Sequence, residues 1–305
     1  MAYWQDRQTQ AQAALMKKSA SQIRKQMQKY YAAAAKSVIE DFESTYNHYL
    51  AALEEGREPS PADLYKLEKY WQMQGNLRQT LNKLGEKEIE AFTRVFEASF
   101  FETYYGLDLP IGSPIFNSVS HETALQMINS VWCADGKSWS DRVWDNKSKL
   151  AETLNEELIN TLLTGKKTSD LKKRLQEQFT DATYYETERL INTELAHIQT
   201  AAATQRYKDS GVKEVQIWAD YDERRCKLCG TLHKKKYGIN EAIPIPAHPN
   251  CRCCVVPVID GASEKTFNNI CVDCGAAFET QNEAVRVCPS CKAKRKKQYN
   301  REVKK

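Results

Sequence analysis

The sequence predicts a mainly α protein with a small α+β, zinc-containing module, an elongated N-terminal helical region and a C-terminal zinc ribbon. Three observations predict it. Apolar residues recur at three- and four-residue steps through most of the first 210 positions, the period of an amphipathic helix. After Gly211 the pattern changes to alternation broken by Gly and Pro, the mark of short strands and turns. Nine of the ten cysteines lie in the last eighty residues, mostly as CxxC pairs, a metal-ligand spacing.

The elements follow in order. Ile23, Met27, Tyr30, Ala34, Val38, Phe42, Tyr46, Tyr49 and Leu53 form one stripe, which Gly56 and Pro59 stop. Ser60-Pro61-Ala62-Asp63 reads as an N-cap with Pro at the first helical position. A second stripe runs through Leu64, Leu67, Trp71, Leu77, Leu81 and Leu84, weakened at Gly75, and a third from Ile89 to Tyr104. Gly106, Pro110, Gly112 and Pro114 mark a hinge. Helix resumes at a cap in Trp139-Ser140-Asp141-Arg142 and runs to Leu163, and Ser169 caps a short helix. A further helix over roughly 184–208 carries Arg189, Thr193 and His197 on one face. Val215, Ile217 and Ala219 then alternate with Gln216, Trp218 and Asp220, and Cys254–Val258 reads as a closing strand. The expected division is 1–110 long helices, 111–210 further helices, 211–259 a strand-rich metal module, 260–269 a linker, and 270–305 a ribbon with a basic tail.

A CxxC turn delivers two thiolates to one ion without strain, and zinc takes four ligands at about 2.0–2.3 Å. Cys226 and Cys229 form one half of a first site, and His248 and Cys251 the other. Cys253 competes for the fourth place, and His233 is an outside candidate. Buried thiols without metal are the alternative; a redox CxxC would need a βαβ pattern, which is absent. The second set is Cys271-x2-Cys274-x13-Cys288-x2-Cys291, with Gly275 and Pro289 placed for tight turns. Some thirty residues with Phe278, Val285 and Val287 cannot bury enough surface to fold without metal. Two zinc ions are the expectation, although spacing alone also admits iron. Lone Cys133 reads as a small buried hydrophobe.

Of 305 residues 41 % are hydrophobic and 28 % charged, within the range of one or two folded domains. No window approaches eighteen apolar residues, so no membrane span is expected. The N-terminus lacks the regions of a secretory signal, which places the thiols in a reducing cytosol. Net charge is +4, unevenly spread. Lys292, Lys294, Arg295, Lys296, Lys297, Arg301, Lys304 and Lys305 stand against Glu302 alone, whereas the remaining chain has 36 bases and 39 acids. Such a tail suits the phosphates of double-stranded DNA, bound without sequence preference and weakened by salt; a solubilising end is the alternative.

No catalytic set can be assembled. Arg189, Thr193, Glu194 and His197 read as a solvated or packed helix face. A four-ligand site is closed and structural, and a nuclease would need a free His beside its metal, whereas His248 is the best ligand.

These residues, taken together, carry a resemblance. Gly136-Lys-Ser-Trp-Ser140-Asp-Arg142, Leu163-Thr-Gly165, Ser169-Asp-Leu171, Arg189-Leu-Ile-Asn-Thr193-Glu194 and Ala196 come first. Trp218, Asp222-Glu-Arg-Arg-Cys226-x2-Cys229, His248-Pro249-x-Cys251-Arg252-Cys253 and Pro257 follow. Residues 136–258 thereby resemble the phage Mu F-like minor head protein family. The resemblance implies a minor capsid protein of a tailed phage or prophage, made in the host cytoplasm and held inside the virion's capsid. It implies the portal and capsid or scaffold proteins as partners, with roles in head morphogenesis, DNA packaging and DNA ejection. The family pattern carries over to Arg189, Glu194, Asp222, Cys226, Cys229, His248, Cys251 and Cys253. The added ribbon and tail depart from the common form. The alternatives are a zinc-dependent DNA nuclease or processing enzyme and a zinc-ribbon DNA-binding regulator.

Overall fold

The computed structural model describes residues 3–52, 60–107, 119–164, 167–219, 225–259, 267–280, 286–288, 290–291 and 294. Its first element, α1 (Tyr3–Ala52), buries Ile23, Met27, Tyr31, Ala34, Val38, Phe42, Tyr46 and Tyr49. Tyr31 rather than Tyr30 occupies the stripe, one position later than the spacing implied. In α2 (Pro61–Tyr65) the Ser60 hydroxyl accepts the Asp63 N–H at 3.3 Å, and Pro61 opens the turn as expected. The helix α3 (Glu68–Gly106) joins the second stripe from Trp71 onward to the third, while Leu64 lies in α2 and Leu67 is the N-cap of α3. Gly75 does not break it: no atom lies within 4 Å of where its Cβ would be. Trp71, expected inside, is exposed and donates its indole N–H to the Tyr65 carbonyl at 2.9 Å.

After α4 (His121–Ile128), α5 (Trp139–Leu163) begins two residues earlier than a cap at Ser140 would allow. Ser138, not Ser140, accepts the Asp141 N–H at 3.2 Å, and the Asp141 carboxylate accepts the Ser138 N–H at 2.9 Å. This reciprocal pair is a capping box with Asp in the third position. The next helix, α6 (Thr168–Asp181), starts after Lys167 without a side-chain cap, so Ser169 sits inside its first turn. A π turn (Ala182–Thr187) joins it to α7 (Glu188–Asp209). Gly211, at φ +75°, closes α7: its N–H and that of Val212 return to the carbonyls of Lys208 and Tyr207.

One hydrophobic core runs from Ala20 to Ala202 and joins α1, α3, α5, α6 and α7. A polar knot lies within it. Lys147 on α5 meets Glu88 on α3 at 2.6 Å, and both side chains are almost wholly buried (4 % and 0 % exposed). Tyr31 on α1 donates to the same carboxylate at 3.0 Å, Lys147 donates to Tyr31, and the Thr187 hydroxyl lies 3.0 Å from the phenol. Burial, with Glu88 alongside, pushes the Tyr31 phenol well above its ordinary range.

Strands β1 (Glu214–Trp218), β2 (Lys236–Gly238) and β3 (Cys254–Val258) make an antiparallel sheet in the order β2-β1-β3. Between β1 and β2 lies α8 (Lys227–Leu232). Val215 and Ile217 face inward as expected, but Trp218 is buried too, edge-on to His233 with centroids 4.9 Å apart. Pro257 sits on an edge strand, opposite Val215, where its missing N–H costs no ladder bond. The sheet is tied to the helices at one carbonyl, Val255 O, which accepts from Tyr207 on α7 at 3.1 Å and from Gln12 on α1 at 3.2 Å. A separate hairpin, β4 (Phe267–Ile270) and β5 (Ala277–Thr280), starts within the stretch expected to be linker. Among the described residues no helix is long and apolar enough to cross a membrane.

Removing either charge of the Glu88–Lys147 pair strands the other in the core. Glu88→Ala or Lys147→Ala is expected to cost about 3–5 kcal/mol, and Tyr31→Phe about 1–3 kcal/mol. Urea denaturation followed by helical circular dichroism checks this; losses under about 1 kcal/mol for the charge deletions would mean the pair is solvated.

Candidate metal centres

The first centre is built on a helix start. Cys226 is the N-cap of α8, and its sulfur accepts the Cys229 N–H at 3.3 Å, so the CxxC pair occupies the first helical turn. The opposite half is a turn closed by the Cys251 N–H on the His248 carbonyl at 3.1 Å. Asn250 there takes φ +60°, a conformation Asn tolerates better than most residues. His248 donates from Nδ1 to the Pro249 carbonyl at 2.7 Å, which leaves Nε2 with its lone pair toward the thiols. Nε2 lies 3.3 Å from the Cys226 sulfur and 3.0 Å from that of Cys229, and Cys229 lies 3.8 Å from Cys251. Bonds of about 2.3 Å to sulfur and 2.0 Å to nitrogen put tetrahedral ligands roughly 3.5–3.8 Å apart. The Cys229–Cys251 pair matches that spacing, the His248 contacts are tighter, and Cys226, Cys229 and His248 form a triad that could hold an ion.

Cys229, Cys251 and Cys253 form a second triad in which all sulfurs lie within 4.8 Å of one another, so Cys229 belongs to both groups. The five donors thus form two triads that share one sulfur. The thiols also differ in acidity. Hydrogen bonds from Cys253 and from backbone N–H groups bring Cys251 down to about 5, whereas burial pushes Cys229 up to about 12. The hydrogen bond to Cys251, together with burial, pushes Cys253 strongly upward. The Pro249 hydrogen bond raises His248. His233 lies outside both triads: its Nδ1 accepts the Ala219 N–H at 3.2 Å and its ring meets Trp218.

At the second centre the sulfurs of Cys271, Cys274, Cys288 and Cys291 all lie within 4.8 Å of one another. Gly275, at φ +69°, turns the chain so that its N–H reaches the Cys271 carbonyl at 2.9 Å. Cys274 and Cys288 are 3.8 Å apart, and the Cys288 N–H donates to the Cys271 sulfur at 3.3 Å. Ser290 and the Cys291 N–H bring Cys288 down to about 6, whereas the hydrogen bond to Cys288 pushes Cys291 up to about 12. Cys271, Cys288 and Cys291 are themselves the buried core of this unit, with Phe278 and Val287 packed against them. The donor chemistry therefore fits a metal ion at both centres. Of the tail, Lys294 is exposed; Lys292, Arg295, Lys296, Lys297, Arg301, Lys304 and Lys305 lie outside the described residues, as does Asp222.

On the α7 face Thr193, Glu194 and His197 are packed, whereas Arg189 is exposed and pairs with Glu186. Thr193 Oγ1 accepts the Asn250 N–H at 3.0 Å, and Asn192 donates to the Asn250 carbonyl oxygen of its side chain at 3.2 Å. Glu194 accepts the Trp132 indole N–H at 3.0 Å, and burial raises its carboxyl above the usual range. His197 stacks on Trp132 at 4.7 Å, and burial lowers it to about 4. Trp132 and Asn192 had no sequence signal, because nothing local to them announces a partner more than fifty residues away. Cys133 is only half-buried and lies in the loop before α5 rather than in a helix.

Residues 152–256 match the family described as Phage Mu protein F like protein. The chain thus carries a Phage Mu F-like region, running from within α5 to β3 and including the whole first centre. It is also similar to a protein of Enterococcus faecalis named NAD(+)–arginine ADP-ribosyltransferase EFV, with 23 % identity over 201 residues. That alignment covers 58 % of this chain and 40 % of the relative, so the chain spans less than half of the relative's length. No solved structure matches.

Elemental analysis of purified protein is expected to find about two zinc ions per chain, one for each four-ligand place. Cys271→Ser should remove one of them and leave the helical signal intact. Both should leave as pH falls, because thiolates and His248 must be deprotonated to bind. One ion in the wild type, unaffected by Cys271→Ser, would eliminate the ribbon centre.

Proposed function

We propose that the chain is a minor capsid, head-morphogenesis protein of a tailed phage or prophage, incorporated in the virion and placed at the portal inside the procapsid. The single observation that carries this reading is the Phage Mu F-like match over residues 152–256. The structural arrangement supports it. Within that span α7 grips the metal-binding loop through Thr193 and Asn192, so the first zinc ion acts as a clasp holding a strand module on a helical body. The helices present the surface for portal, capsid or scaffold proteins.

The second ribbon and its tail serve DNA. Residues 292–305 net seven positive charges, eight bases against Glu302, on a chain that is otherwise mildly acidic. Contact with phosphates alone is sequence-independent and falls steeply with salt. Deleting residues 292–305 is expected to weaken binding to arbitrary duplex DNA and to flatten the dependence of log K on log salt. Each lost phosphate contact should remove roughly 0.9 from that slope. Filter binding or fluorescence anisotropy at several salt concentrations measures both, and an unaltered slope would assign the tail to solubility alone.

An enzymatic reading draws on the Enterococcus faecalis relative, named as an ADP-ribosyltransferase. The alignment covers 40 % of that relative, and the head-assembly reading gives this chain no transferase role. Neither NAD+ hydrolysis nor modification of an arginine substrate is expected from purified protein; turnover of either would reverse the assignment. A nuclease reading is disfavoured by His248, whose Nε2 faces two thiols rather than standing free as a base.

A further inference from the structure

We propose that the seam between the helical body and the first metal module is a receptor for a basic side chain, lysine or arginine, presented by a segment of another protein. A cavity of about 670 Å³ lies there, walled by α5, α7 and the loop from Ile243 to Pro249. Motifs that the clasp leaves without a task, around Arg189–Glu194 and at His248-Pro249, converge on this one space.

Its charges are unequally satisfied. Arg142 is committed to both oxygens of Asp135 at 2.8 and 2.9 Å, Arg189 to Glu186 at 2.8 Å, and Asp145 to Lys137 at 2.5 Å. Among the described residues, Glu194 alone of the cavity's charged side chains has no ion-pair partner, and it is the most buried, at 2 % exposed. One of its oxygens takes the Trp132 N–H; Arg142, the nearest cation, is already engaged. A buried carboxyl so placed gains most from a cation brought to it with its own hydrogen bonds.

The rest of the lining is largely apolar: Ile243, Pro244, Ile245 and Pro246 come from the loop, and Leu190 stands one turn before Glu194 on α7. An acid at one end and hydrocarbon along the side match the two halves of a lysine or arginine side chain, a charged head on a methylene stem. Trp132 adds an indole at the cavity edge, one face of which is covered by His197, and an aromatic face favours a cation. The space exceeds the volume of one side chain, so the donor is a peptide segment rather than a free amino acid. An anion finds no equivalent place, because both arginines are already paired.

The test uses the full-length, metal-loaded protein and two capped tripeptides, Ala-Arg-Ala and Ala-Glu-Ala, with inorganic phosphate as a third probe, titrated by calorimetry. The arginine peptide is expected to bind and the other two to bind at least tenfold more weakly. Glu194→Gln, which keeps an acceptor for Trp132, should weaken the arginine peptide tenfold or more. Pro244 is exposed at the cavity mouth, so Pro244→Lys should weaken that peptide about threefold while Pro244→Glu does not, whatever happens to folding in the Glu194 variant. Equal binding of the acidic probes, no binding of the arginine peptide, or indifference to both substitutions would overturn the proposal.

Discussion

The arrangement of the helical body depends on one buried ion pair. Glu88 and Lys147 lie where neither can reach water, and an isolated charge there would be costly by several kcal/mol. Each is tolerable only because α3 and α5 bring it to its opposite while α1 supplies Tyr31 and the π turn brings Thr187. A slide of any one helix by a turn would unmake the knot. Apolar side chains around it, such as Phe92 and Leu150, are interchangeable partners for burial; the polar knot is not. It thereby selects one register of packing among those that hydrophobic burial would accept.

The two cysteine centres contribute differently to the fold. In the first, the sheet already has a core in Val215, Ile217 and Val255, and is bound to α1 and α7 through the Val255 carbonyl. A metal ion there would tighten a unit that has other reasons to stay in place. In the second, the thiols are the core, and folding of the hairpin with its knuckles would be inseparable from binding an ion. The ligand excess at the first centre follows from Cys229 standing between two triads. That position gives one sulfur a choice of partners, which a minimal four-ligand set would lack.

Much of this was legible in the residues. Helical periodicity located the stripe from Ile23 to Tyr49, the cap at Ser60 and the closure at Gly211, because each is decided within a few residues. The exchange of Tyr30 for Tyr31 and the exposure of Trp71 were not legible, since a helix buries whichever side its neighbours cover. Trp218 broke the strand alternation for a similar reason: His233, fifteen residues on, lies against it. The cysteine and histidine spacings picked out residues that cluster at both centres, but not that Cys229 is shared by two clusters, which is a three-dimensional fact. Least visible was the α7 face. Arg189, Thr193, Glu194 and His197 look like an ordinary polar face, and only Asn250, Trp132 and the loop at residue 243 reveal what it holds.

The π turn between α6 and α7 carries a consequence of phase. It accommodates its residues in a wider loop than an α-helix would, so α7 leaves it rotated relative to α6. One residue of an α-helix corresponds to about 100° of rotation. Were the same six residues wound as α with none removed, every side chain after the turn would swing round by about that angle. Thr187 would leave Tyr31, and Thr193 and Glu194 would point away from the metal-binding loop and Trp132. The wider winding of this turn therefore acts as a gear, setting the polar knot and the grip of α7 on the cysteine-bearing loop to the same angle.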